Sequence, residues 1–305
     1  MSEPEQFHTT ALRGTLRSEV SMRKHTSWRA GGVVERMYQP ADLEDLCFFI
    51  HGLPDDEPLY VVGLGSNLLV RDGGLRGTVL LMHGALRALS IDSHKVIYAQ
   101  VGVPGAKLAR FAALNDLSGA AFFAGVPGTL GGMLAMNAGC YGSETWDKVL
   151  RVQTVNRKGV LKNRTAAEYQ IGYRHVSLKE AGSEWFVSAL LKFNEGDGNV
   201  ARKEIKELLN KRIASQPLQL PNAGSVFRNP PEDHAARLIQ KCGLKGRRIG
   251  GAEISEKHAN FIVNVGDAKS ADIENLINEV RVEVEKQTGI QLHPEIRIVG
   301  EEQSG

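Results

Sequence analysis

Cysteine is scarce in this 305-residue chain: only Cys47, Cys140 and Cys242 occur, widely spaced. No two of them form a C-x-x-C pair, which excludes that route to a zinc or dithiol site and predicts a reducing compartment, the cytoplasm. A dominant charge is also missing, since 37 Lys and Arg stand against 35 Asp and Glu for a formal net charge of +2. Such a balance gives no field to gather nucleic acid or an anionic membrane, so small molecules are the expected partners, with no obligatory protein partner. The opening Met1-Ser2-Glu3-Pro4-Glu5-Gln6 is acidic and polar where a secretory leader would be basic and then apolar. Residues 117–143 lack Asp, Glu, Lys and Arg, and a membrane span needs roughly 20 apolar residues. Yet Gly125, Pro127, Gly128, Gly131 and Gly132 break any continuous helix there, and Asp116 and Glu144 flank the run without a basic cluster. Two nucleotide fingerprints are incomplete as well. No G-x-x-x-x-G-K-[ST] occurs, and G-x-G-x-x-G fails where Leu68 follows Gly63 and Gly65.

What is present is glycine in two uncharged loops. Residues 123–142 hold six glycines, a backbone bare enough to lay N–H groups against a planar or phosphorylated ligand. Residues 61–70 read as a buried strand running into a Gly-Ser-Asn turn, where α/β proteins present amides to phosphate. Two such loops suggest one extended cofactor. The first of them also reads simply as a buried helix with its turns.

Leu43, Leu46, Cys47 and Ile50 repeat at helical spacing between Pro40 and Pro54 and predict a short amphipathic helix feeding a strand at 59–62. Apolar runs at 78–82, 95–101, 149–155 and 185–193 predict strands, with a helix at 106–115. After Phe193 the polar break Glu195-Gly196-Asp197-Gly198 predicts a new lobe. It should contain a charged helix through Ile205, Leu208 and Leu209, an extended stretch at 216–222, a strand at 261–265, and a helix from Ile273 to Val284. Ser270 is the expected cap of that helix and Gly289 its stop, and a strand at 295–299 follows.

Three short segments each set polar groups among turn or strand signals: Tyr173-Arg174, residues 224–230 around Ser225, and His293-Pro294-Glu295. Taken singly, Arg174 suits a solvated ion pair, Ser225 a turn or cap, and Glu295 an edge strand. Together with His25-Thr26-Ser27-Trp28-Arg29-Ala30-Gly31-Gly32, residues 63–74, the glycine-rich run and residues 250–260, they follow one another in an order that resembles the UDP-N-acetylenolpyruvoylglucosamine reductases over residues 20–300.

The polar start predicts a disordered tail at 1–20, and the resemblance implies an α+β fold: a two-lobed FAD-binding region of the vanillyl-alcohol oxidase type at 21–195 (lobes 21–80 and 81–195), and an α+β substrate-binding lobe at 196–305. It implies FAD on Gly63, Leu64, Gly65, Ser66, Asn67 and Leu68, and on Gly125, Val126, Pro127, Gly128, Thr129, Gly131, Gly132, Asn137 and Gly139. The first loop has no His and Cys140 is the only thiol near the second, so the flavin is expected to be non-covalent.

The implied reaction uses NADPH to reduce FAD, which then reduces the enolpyruvyl group of a UDP-linked sugar. By the same resemblance Arg174 and Glu295 flank the substrate carboxylate and Ser225 donates a proton to the carbon beside the hydride acceptor. A planar, permanently charged guanidinium suits a carboxylate. A second carboxyl helps only if it is protonated or polarises a neighbouring donor. Tyr173, Arg212, Arg228, Asn229, Lys257 and His258 are the expected contacts to the rest of the substrate. Two features depart from many relatives: Val176 stands two positions after Arg174 where a serine is common, and the chain from Arg174 to Trp185 is short, as in the branch without an extra lid. An alcohol oxidase of the same broad fold and a non-catalytic nucleotide-binding protein are the rival readings; rapid reoxidation by air would favour the first and a colourless protein the second.

Overall fold

The computed structural model describes residues 12–303, and they divide into two compact units. One takes the described residues up to Ser18, then Arg36–Gly63 and Gly77–Leu208; the other takes Glu19–Glu35, Leu64–Arg76 and the described residues from Leu209 on. Residues 15–20, expected within a disordered tail, belong to the strand Thr15–Ser21, most of whose residues are exposed. A polar, solvent-facing strand carries no apolar period to betray it. Residues 1–11 of that expectation lie outside the described residues.

In the first unit, the helix Leu43–His51 starts where the Asp42 carboxylate accepts the Asp45 N–H at 3.0 Å, an ordinary N-cap worth about 1 kcal/mol. It buries Leu46, Phe49 and Ile50, and Phe49 stacks on Tyr38 with ring centroids 3.8 Å apart. The strand Leu59–Val62 runs parallel to Leu75–Leu81, with Leu59 opposite Thr78 and Val62 opposite Leu81. A five-stranded antiparallel sheet follows in the order Leu161–Arg164, Val149–Asn156, Glu184–Lys192, Val96–Gln100, Leu89–Ile91. Alternation decides which faces are buried: Ile97 and Ala99 on one strand, Val187, Ala189 and Leu191 on its neighbour. The helix Gly105–Leu114 buries Leu108, Ala109, Ala112 and Ala113 at helical spacing.

The second unit gathers distant segments around one core that includes Trp28, Leu69, Phe227, Ile239, Ile262, Ile277 and Val280. Fully burying each large apolar side chain there contributes roughly 1.5–3 kcal/mol. The Trp28 indole N–H donates to Ile262 O at 2.7 Å, and Asn264 Nδ2 donates to Trp28 O at 2.9 Å. Leu68–Val70 pairs in parallel with Arg297–Val299, which is why residues 64–76 fold with the lobe expected only from residue 196 on.

The helix Ser270–Thr288 differs in one detail from its expected cap. Ser270 is its first residue, its hydroxyl donates to Val70 O at 2.6 Å, and the capping is done by Asp72, whose carboxylate accepts the N–H groups of Ser270 and Ala271 at 3.0 and 2.9 Å. An anion at a helix N-terminus satisfies orphan donors and the helix dipole together. The helix ends, as expected, at Gly289 with φ +73°. Among the described residues no helix is long and apolar enough to cross a membrane.

Candidate flavin and substrate site

The glycine-rich run folds as the helix Phe122–Gly125, a turn, and the helix Leu130–Met136, which buries Leu130, Met133 and Leu134. The turn is moored by backbone bonds: Gly105 N to Gly128 O at 3.1 Å, Leu130 N to Val103 O at 2.9 Å, and Gly131 N to Val101 O at 3.0 Å. Several glycines there make room for protein. A Cβ on Gly131 would lie 3.0 Å from Val101 Cβ, and one on Gly125 would lie 2.9 Å from Cys140 Sγ. Gly132 is different, exposed and with nothing within 4 Å of an added Cβ. Gly63 reaches this turn directly, because a Cβ on it would overlap the Thr129 hydroxyl. The two loops that the sequence singled out therefore meet at Gly63 and Thr129.

Beyond Gly63 the first turn belongs to the second unit. Gly65 takes φ +63°, and its carbonyl accepts the Ser27 N–H at 3.1 Å. Asn67 O accepts the Arg297 N–H at 3.0 Å, and Asn67 Nδ2 donates to the Glu295 carbonyl at 3.3 Å. The N–H groups of Gly63, Leu64 and Gly65 donate to no acceptor among the described residues. Main-chain amides left unbonded in a turn suit the phosphates of a cofactor such as FAD.

Tyr173 and Arg174 form the two-residue loop of the hairpin Tyr169–Gly172 and His175–Leu178, closed by the Gly172–His175 pair. Arg174 sits at φ +53°, a left-handed conformation that costs a non-glycine residue about 1–2 kcal/mol. Its Nη2 donates to Gly139 O at 3.0 Å, and its guanidinium carbon lies 4.9 Å from the Tyr173 ring centroid. Behind the hairpin, Asn137 ends the preceding helix at φ +43°. Its Nδ2 donates to Glu144 Oε2 at 2.7 Å and Gly172 O at 3.3 Å, and its Oδ1 accepts the Trp146 N–H at 3.1 Å. Asn137 is buried, so its amide is spent on the protein that carries Arg174. His175 Nε2 lies 3.1 Å from Ser177 Oγ, beside the unusual Val176.

Ser225 and Glu295 lie on adjoining segments of the second unit. The Glu295 N–H donates to Val226 O at 2.7 Å, Phe227 bridges to Pro294, and the Arg228 N–H donates to His293 O at 3.0 Å. Glu295 was expected to begin a strand, but the strand is Arg297–Val299 and Glu295 precedes it. Both residues are half-buried. Among the other expected substrate contacts, Asn229 Oδ1 accepts the Ala235 N–H at 3.1 Å, Arg212 Nε donates to Gln216 Oε1 at 2.9 Å, and Lys257 Nζ donates to Ile213 O at 2.6 Å. His258 Nδ1 accepts the Asn260 N–H at 3.3 Å. Burial pushes the His258 pKa down, which keeps that nitrogen an acceptor. Arg228 is half-buried. Sequence reasoning passed over Asn260, whose only signal was its place at the end of the segment 250–260.

Residues 35–163 match the FAD binding domain family, and residues 216–299 match the family described as UDP-N-acetylenolpyruvoylglucosamine reductase, C-terminal domain. UDP-N-acetylenolpyruvoylglucosamine reductase of Thiobacillus denitrificans is 54% identical, the match covering 99% of this chain and 98% of that protein. Its counterpart in Alkalilimnicola ehrlichii is 55% identical over 95% of this chain and 97% of that protein. A crystal structure of UDP-N-acetylenolpyruvylglucosamine reductase from Thermus caldophilus superposes with a TM-score of 0.80 at 29% identity, over 94% of this chain and 99% of that one. Half of all positions identical along nearly the full length, with a shared fold, means that this chain belongs to the UDP-N-acetylenolpyruvoylglucosamine reductase family.

Proposed function

We infer that this chain is an NADPH-dependent flavoenzyme that reduces the enolpyruvyl group of UDP-N-acetylglucosamine enolpyruvate to a lactyl ether, giving UDP-N-acetylmuramate for peptidoglycan precursor synthesis. The observation that carries the reading is 54% identity across 99% of the chain to a reductase of that name. FAD, when bound, supplies hydride exchange between NADPH and the enolpyruvyl carbon. The residues that would hold it are the amide-bearing turn from Gly63 to Leu68 and the turn from Gly125 to Gly132, with Gly139 behind. Non-covalent binding is the expected mode, since the one thiol near these turns, Cys140, directs its Sγ to Phe122 O at 3.3 Å.

An enol ether accepts hydride poorly unless the negative charge that builds towards its carboxylate is stabilised. Arg174 meets that demand with a fork of charged donors that needs no proton from solvent. Its left-handed backbone belongs to the two-residue hairpin turn that presents the guanidinium. Glu295 acts as a neutral acid or through a neighbouring donor, and Ser225 delivers the proton to the adjacent carbon. Tyr173, Arg212, Arg228, Asn229, Lys257 and His258 bind the nucleotide and sugar portions. Nucleoside diphosphate sugars and NADPH are cytoplasmic metabolites, which places the reaction there, with no membrane, nucleic acid or obligatory protein partner.

Anaerobic titration tests the whole reading. NADPH should bleach the flavin absorbance, and the enolpyruvyl sugar nucleotide should restore it. Restoration by air alone, with the sugar nucleotide inert, would overturn it.

A further inference from the structure

Asn260 has no role in the chemistry described so far, yet its side chain holds the segment next to Ser225 by two hydrogen bonds. It is buried, at 4% exposure. Its Oδ1 accepts the Phe227 N–H at 2.9 Å while its Nδ2 donates to the Phe227 carbonyl at 2.8 Å. Its own carbonyl accepts the Val226 N–H at 2.9 Å. One carboxamide thus stands in for a neighbouring β-strand, giving and receiving at a single residue as paired strands do. On the opposite edge of the same three residues lie the bonds to Glu295 and His293 and the Phe227–Pro294 bridge. Residues 226–228 are consequently fixed from both sides, and on one side Phe227 is held at both its N–H and its carbonyl by the Asn260 carboxamide. Ser225 immediately precedes this doubly held segment and follows Gly224 at φ +75°.

We propose that Asn260 is a positioning residue: by locking Phe227 in register with Pro294 it sets the Ser225 hydroxyl relative to the Glu295 carboxyl. The inference rests on reading Ser225 as the proton donor. A buried amide that both donates and accepts cannot be replaced by a carboxylate without turning an oxygen towards the Phe227 carbonyl. The segment would then shift, and a displacement of about 1 Å at a reacting group costs on the order of 10²-fold in rate.

The test compares Asn260→Asp, Ser225→Ala and the double variant with the parent holoenzyme by stopped-flow. Flavin reduction by NADPH and flavin reoxidation by the enolpyruvyl sugar nucleotide are followed separately. In Asn260→Asp, reduction should stay within about 3-fold of the parent while reoxidation slows at least about 10-fold and gains a larger solvent deuterium isotope effect. Adding Asn260→Asp to Ser225→Ala should slow reoxidation by no more than about 2-fold further, because both act through one group. Amide hydrogen exchange at Phe227 should quicken in Asn260→Asp with or without flavin.

Equal slowing of both half-reactions, or full additivity in the double variant, overturns the proposal. If Ser225→Ala slows reoxidation and Asn260→Asp does not, the Asn260 role falls while the donor reading stands. If Ser225→Ala leaves reoxidation unchanged, the donor reading falls and this role falls with it. Should Asn260→Asp not keep its fold, Asn260→Gln, with the same donor and acceptor one methylene further out, carries the same comparison.

Discussion

Gly63 lies so close to Thr129 that a single added carbon would overlap the threonine hydroxyl. This contact joins the two glycine-bearing turns, and it makes Gly63 a packing requirement whatever it binds. Gly63→Ala should weaken FAD binding about 10-fold or more and destabilise the fold by roughly 1–3 kcal/mol, the usual cost of overpacking. Thr129→Ala in the same chain should return part of both losses, since it removes the clashing atom. Fluorescence titration of the apoprotein with FAD and thermal unfolding read the two effects, and strict additivity would contradict the contact.

Arg174 combines a left-handed backbone with a guanidinium bonded to the Gly139 carbonyl. Glycine would relieve about 1 kcal/mol of backbone strain and forfeit a hydrogen bond worth about the same. Arg174→Gly should therefore leave the unfolding free energy within about 1 kcal/mol of the parent. Flavin reoxidation by the sugar nucleotide should nonetheless fall about 10²- to 10³-fold, as when one charge-stabilising donor is removed. A variant that lost stability and both half-reactions together would point to a structural arginine.

Glu295 shares a backbone hydrogen bond with the Ser225 segment, and the acid role proposed for its carboxyl requires the protonated form. The pH profile of reoxidation should then decline on its basic side, and Glu295→Gln, neutral at every pH, should lose that decline while running more slowly throughout. A basic limb that survives in Glu295→Gln would assign the titration to another group.

A different carboxylate governs acid stability. Glu184 receives Arg164 on both oxygens, at 2.8 and 3.2 Å, with Thr154 Oγ1 at 2.8 Å and Lys162 Nζ at 3.1 Å. Its side chain is 7% exposed, and the Arg164 hydrogen bonds hold its pKa down at about 2 from an ordinary 4.5. A depressed folded-state value means stability that is present above the unfolded value and lost as pH falls towards the folded one. Linkage puts the loss at about 2–3 kcal/mol between roughly pH 5 and pH 2. Urea unfolding across that range should show the parent converging on Glu184→Gln as the pH drops; parallel curves would remove Glu184 from the account.

Local features of the site were legible in the sequence and distant ones were not. The glycine turns, the helix at Leu43–His51 and the stop at Gly289 depend on residues a few positions apart, so spacing alone announces them. The Asn67–Glu295 bond spans 228 positions and the Trp28–Ile262 bond spans 234; nothing in either local stretch names its partner. For that reason residues 64–76 were expected with the first lobe and fold in the unit of the carboxy-terminal segments. Asn137 and Asn260 show a second limit. A side-chain amide that imitates backbone leaves no periodic trace, and only coordinates reveal that one carries the Arg174 hairpin and the other clasps Phe227.

The parallel pairing of Leu68–Val70 with Arg297–Val299 bears on biosynthesis. Asn67 and its turn gain their lateral support from residues translated some two hundred codons later. A nascent chain that has emerged from the ribosome only as far as the sheet around Val149–Asn156 still lacks that support. Pairing of the turn therefore waits until Arg297–Val299 has been made, and truncation before Arg297 removes its brace while every glycine in it is retained.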